Sequence, residues 1–183
     1  MIVFLSAVFI SMFTASNLIE TGPVIIQQVF GVELGQTAFG LAGSAVLTMF
    51  LLEAAGRWAE KSGPYSVWTT AAVCYGVSAI GLWLAVGHNV PSLLPILLIV
   101  LLMQAVSWFD MVIPAIAEHL SPVTPALTQG FLMFAMAIGF GTGTFIAGQL
   151  IEVSGFVAVV NFCAAAWVVT MILVGGTLIL KRD

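Results

Sequence analysis

The sequence predicts an all-α membrane protein of six transmembrane helices, arranged as a 3+3 inverted repeat with both termini cytoplasmic. Three observations carry this. Hydrophobic residues make up 61% of the 183 and charged residues only 7%, against about 25% charge in a typical soluble domain. Mean hydropathy is +1.18. Six apolar stretches, each longer than 20 residues, are separated by short turn-forming segments, and a helix needs roughly 20 residues to cross ~30 Å of hydrocarbon. Barrel strands are about half that length and alternate in polarity, so the segments are helices.

Taken in order, the first segment spans 2–30 and holds Glu20 and a Gly22-Pro23 break. A loop with Gly31, Glu33 and Gly35 leads to the second, 37–58, which ends in the most charged stretch of the chain. The third, 64–86, starts at Pro64, a residue preset for the first helical turn. Gly87-His88-Asn89-Val90-Pro91 is a turn by composition. The fourth, 92–117, carries Asp110 and Pro114 near its far end. Glu118 to Thr124 reads as a loop, the fifth helix covers 125–151, Glu152 to Gly155 turns the chain, and the sixth covers 156–180. Together they make a single six-helix bundle. The opening run Ile2–Phe13 lacks the basic flank of a signal peptide and is expected to remain as part of the first helix.

Orientation follows from the bases. Arg57 and Lys61 come after two crossings, Lys181 and Arg182 after six, so an even number of crossings puts all four on one side. The positive-inside rule makes that side cytoplasmic. Splitting the bundle into two three-helix units gives the inverted repeat. Glu20 precedes Pro23 and Asp110 precedes Pro114, and the second helix of each unit is rich in small residues. Gly139, Gly143 and Gly148 are expected to let helices approach closely. Such repeats point to a transporter, with breaks at matching positions marking its binding site.

Glu20 and Asp110 are the leading candidates for chemistry. A charge at the bilayer centre costs roughly 3 kcal/mol and normally faces a bundle interior or watery cavity. A carboxylate there suits proton coupling or recognition of a cationic group; the plain alternative is a hydrogen bond to a neighbouring helix. Asn17, Gln27, Gln104 and Trp108 are candidate substrate or proton contacts. Asn17, nearly one turn before Glu20, is expected to share its face, whereas Gln104 lies about 240° around the helix from Asp110. Glu53 and Arg57 are spaced for an i,i+4 ion pair. His88 and His119 sit apart at loop positions, Cys74 and Cys163 read as buried small hydrophobes, and no metal or cofactor site is expected. Eight acids and four bases, net −4, exclude a nucleic-acid surface. No nucleophile motif or phosphate loop occurs, so no enzyme is expected.

The stretch Gly56-Arg57-Trp58-Ala59-Glu60-Lys61-Ser62-Gly63 resembles the cytoplasmic signature of the major facilitator superfamily: Gly, three residues, an acid, a base, one residue, Gly. Glu60 stands where Asp is usual, and Pro64-Tyr65 where further bases are expected. The run Gln129-Gly130, Gly139, Gly141, Gly143, Gly148 and Gly155 is similar to the family's eleventh helix. The resemblance covers the chain as the C-terminal six-helix half, helices seven to twelve, of a twelve-helix secondary transporter. It implies a cavity lined by the first, second, fourth and fifth segments, with the third and sixth, bearing Cys74 and Cys163, peripheral. It also implies a cytoplasmic gate at Gly56, Arg57, Glu60, Lys61 and Gly63. A missing N-terminal half, a second copy or a partner subunit would complete the unit. The implied activity is proton-coupled symport or antiport of a small organic solute across a plasma membrane, in bacteria the inner membrane. A non-transporting subunit, scaffold or inactive fragment is the rival reading.

Overall fold

A computed structural model describes residues 1–180, so the expectation resting on Lys181 and Arg182 lies outside the described residues. The chain forms six helices: α1 (Ile2–Phe30), α2 (Leu34–Ser62), α3 (Pro64–Ala85), α4 (Leu93–Leu120), α5 (Pro125–Ser154) and α6 (Phe156–Leu180). All six are long and apolar enough to cross a membrane, as expected of a multi-pass integral membrane protein.

Three helices outrun the apolar stretches that predict them. α2 begins at Leu34 and continues through Glu60 and Lys61 to Ser62; α4 takes in Glu118 and His119; α5 runs to Ser154. Hydrogen bonding, not hydropathy, sets these ends. α2 stops at Gly63, whose φ of 81° breaks the helix in a region that favours glycine, and Pro64 then opens α3. Gly155, at φ 77°, separates α5 from α6 in the same way. His119 therefore belongs to the last turn of α4, where its Nδ1 lies 3.1 Å from the Ala115 carbonyl. The expected break at Gly22-Pro23 is also corrected: α1 passes through Pro23 unbroken, as α4 passes through Pro114. Packed membrane helices tolerate proline because neighbours re-satisfy the freed backbone. Here Gly22 lies directly against Ile99 of α4.

Two apolar clusters, one at each end of the bundle, fix how the helices run. One gathers the start of α1 (Phe4, Val8), Ala55 near the end of α2, Trp68 of α3, the end of α4 (Val112, Ile116), Leu132 of α5 and Val174 of α6. The other gathers the opposite ends, with Ile25 of α1, Leu82 of α3, Ile99 of α4 and Val160 of α6. Successive helices therefore alternate in direction. The start of α1 and the end of α6 meet, with Gly176 beside Val3. The end of α2 that carries Arg57 and Lys61 is at this same end of the bundle.

α1 packs chiefly on α5 and α6, and α4 chiefly on α3 and α2, while α3 also lies on α6. α2 and α5 are the least covered helices and α3 is among the most buried.

Small residues make the closest approaches. Gly139 sits against the Phe9 carbonyl and Gly143 against the Phe13 carbonyl and Ser16, so α5 descends α1 in parallel register. Gly148 takes no part: it is exposed and nothing lies within 4 Å of where its Cβ would be. Gly40 presses on Ile96 in the α2–α4 contact.

Candidate functional site

A small pocket between α1, α3, α4 and α6, beside Ser11 and Thr170, has room for about 20 Å³, about one water. Larger grooves open on the surface of the bundle.

The register of α1 against α4 shows which polar groups share a level. Gly22 lies on Ile99 and the two helices run oppositely, so Asn17 is level with Gln104. Around that level, Ser16 meets Gly143 of α5, and the Cys163 thiol of α6 lies 3.8 Å from the Thr14 carbonyl. Gln104 reaches across to α2, where its Nε2 donates to Thr48 Oγ1 at 2.8 Å, Ser44 Oγ at 3.1 Å and the Ser44 carbonyl at 3.2 Å. The bundle thus has a layer of hydroxyls and amides at mid-height.

Beside that layer a groove of about 430 Å³ opens between α1, α2 and α4. Ser44, Thr48 and Ser107 supply its polar wall, and Ile19 and Met103 are among its apolar lining. Of this set only Gln104, behind the wall, stands out in the sequence. The three hydroxyls do not, because Ser and Thr in apolar helices commonly bond their own backbone, and two of these do so: Thr48 donates to the Ser44 carbonyl and Ser107 to the Met103 carbonyl, both at 2.9 Å.

The two acids flank this layer. Glu20 and Asp110 each stand ten residues before the C-terminal end of their helix. Because α1 and α4 are antiparallel, the acids are at different heights. Asp110 is level with Ser11, which puts it about 14 Å from the level of Glu20 at 1.5 Å rise per residue. Both are exposed on the surface of the chain. The structure does not bring them together.

The remaining candidates divide. Asn17 does not share a face with Glu20: it is wholly buried while Glu20 is exposed. Its amide donates to the Phe13 carbonyl of its own helix, and its Oδ1 has no hydrogen-bond partner among the described residues. Gln104 is buried and Asp110 exposed, so these two occupy different faces, as their spacing predicts. Gln27 donates to the Pro23 carbonyl at 3.2 Å, within α1. Trp108 packs edge-on against Trp58 with centroids 6.5 Å apart.

In the signature stretch, Arg57 pairs with Glu53 on the exposed side of α2. Glu60 and Lys61 are exposed in the last turn, and Gly56 has nothing within 4 Å of its Cβ position. Cys74 is half-buried and Cys163 buried, both free thiols. No protein-family model and no curated protein matches the chain.

Proposed function

We propose that the chain is a six-helix half of a secondary transporter of the major facilitator type, moving a small organic solute by alternating access with proton coupling through Glu20 and Asp110. The observation that carries this reading is the vertical order of polar groups: an acid, a mid-height layer of amides and hydroxyls with a groove beside it, then an acid. Transporter sites lie near the bilayer midplane at a repeat interface. A carboxylate left against lipid is costly, so the exposed faces bearing Glu20 and Asp110 suit a water-lined path or a second bundle better than acyl chains.

The inverted repeat draws support from the pairing of helices. α1 with α5 and α4 with α2 are the same contact under exchange of the two units, as are α1 with α6 and α4 with α3. In this reading the end carrying Arg57 and Lys61 faces the cytoplasm, in a plasma membrane such as the bacterial inner membrane. Glu60 and Lys61 act there as gate elements against the second half, whether that is a further part of the protein, a second copy or a partner subunit.

Uptake by sealed vesicles carrying the protein tests the coupling. Proton-driven uptake should disappear in the Glu20→Gln, Asp110→Asn double variant, and its persistence would remove the coupling role of the acids. The bare apolar faces of α2 (Phe39, Met49, Phe50) and α5 (Phe134, Phe145) favour the second reading, a non-transporting subunit that binds a partner within the bilayer. Cysteines placed at positions 20 and 110 separate the two: labelling by an impermeant reagent supports a water path, and no labelling at either supports the scaffold.

A further inference from the structure

We propose that α2 rolls on α4 about a single contact edge, so that the grooves on its two sides open alternately. The motion belongs to the fold itself and holds whether or not the chain moves a solute, so it goes beyond the reading above.

The narrowness of the α2 contact carries it. Of the 29 residues of α2 only Thr37, Ser44 and Ala55 are buried. Their spacings of seven and eleven bring them within about 20° of one another on a helix turning 100° per residue. The helix therefore meets the bundle along one edge. On one side of that edge lies the groove of about 430 Å³ shared with α1, lined on α2 by Leu41, Ala45 and Thr48. On the other side a second groove, of about 590 Å³, opens between α2 and α4 and is lined on α2 by Gln36, Gly40 and Gly43. Ser44 borders both. The symmetry-related helix α5 is seated differently. Its buried residues Thr128, Leu132, Gly139, Gly143 and Ala147 spread over about 100°, and two of its glycines rest on carbonyls of α1. The roll is confined to α2.

The tether across the edge permits this motion. Gln104 Nε2 lies within bonding distance of three acceptors, Thr48 Oγ1, Ser44 Oγ and the Ser44 carbonyl, and a side-chain amide has two protons. Thr48 and Ser44 stand about 40° apart on α2, so the amide exchanges one for the other as the helix turns. Lipid tails are as apolar as the groove walls, and replacing one by the other carries little cost. At its far end α2 is held by Ala55 in the apolar cluster and by Trp58 against Trp108, which places the pivot there and the swing around Gln36 to Thr48. Few buried contacts mark a segment of low local stability.

Two cysteine pairs test the roll in lipid nanodiscs, with Cys74 and Cys163 changed to alanine. Ala45→Cys with Ser107→Cys spans the groove on the α1 side, and Phe39→Cys with Leu97→Cys spans the other. Each pair should close to a disulfide under mild oxidation, since each tilt brings its own pair together. Photolabelling by a lipid-soluble diazirine, mapped by peptide mass spectrometry, then reads the opposite groove. For two equally populated tilts, fixing one doubles its occupancy. Closing the first pair should therefore raise labelling at Phe39 and Leu97 about twofold, and closing the second should do the same at Ile19 and Met103. Reductant should reverse both changes, and Phe134 and Phe145 on α5 should not respond. The reduced forms should label as the chain without the pair does, which shows that they fold. The Phe39/Leu97 pair leaves Gln104, Ser44 and Thr48 intact and carries the test if the other disturbs packing. Failure of a folded pair to close, unchanged or lower labelling of the opposite groove, or an equal change on α5 would each overturn the proposal.

Discussion

The indole of Trp167 on α6 lies over Gly76 on α3 so closely that a Cβ at position 76 would fall inside the ring. The ring is held there by its Nε1, which donates to the Ala72 carbonyl at 3.1 Å. Gly76→Ala must push α3 and α6 apart. Overpacking of this kind costs about 1–3 kcal/mol, to be read as a lower unfolding midpoint in detergent. Trp167→Phe keeps most of the contact, loses the hydrogen bond, and should cost about 1 kcal/mol.

The glycines of α5 separate into two classes with opposite expected effects. Gly143→Ala meets the Phe13 carbonyl and Ser16 and should destabilise the α1–α5 contact by about 1–3 kcal/mol. Gly148→Ala meets nothing and exchanges glycine for a better helix former, so stability should hold or rise by up to about 1 kcal/mol. Parallel unfolding curves for the two variants check both.

Among the described residues, Gln104 is the side chain that ties α2 to α4 by hydrogen bonds. Gln104→Leu preserves bulk but leaves Thr48 Oγ1 and Ser44 Oγ without that donor. Interhelical hydrogen bonds in membranes are worth about 0.6 kcal/mol and at most about 1.7, so a loss in that range is expected. It should appear locally as faster amide hydrogen exchange in α2, whose buried residues are only Thr37, Ser44 and Ala55.

The Glu53–Arg57 pair is well exposed on both sides. Pairs of this kind contribute little, and Glu53→Gln should leave the unfolding midpoint unchanged within error. A large drop would show that the pair meets a second protein surface.

Helix existence and most boundaries were legible because lipid demands long apolar runs, and glycines such as Gly63 and Gly155 mark the stops. The overruns at Glu60, Lys61 and Glu118 were not, since charged residues beyond the hydrocarbon are as helical as apolar ones until a cap ends the helix. The site was legible only in part. A carboxylate in an apolar run announces itself, which is how Glu20 and Asp110 stand out. The partners of Gln104 could not be seen, because Ser44 and Thr48 look like ordinary small helical residues until the α2–α4 register is known. Asn17 misleads for a related reason: three residues from Glu20 is near in angle, yet the edge of the α1 contact falls between them.

Glu20 and Asp110 each stand ten residues before the C-terminal end of their helix, and in an antiparallel pair those ends point to opposite sides of the bundle. Under the proposed function, a solute travelling along α1 and α4 would meet one carboxylate, then neutral amides and hydroxyls, then the other carboxylate, from whichever side it entered. Its direction would then be imposed from outside, by the gradients across the membrane.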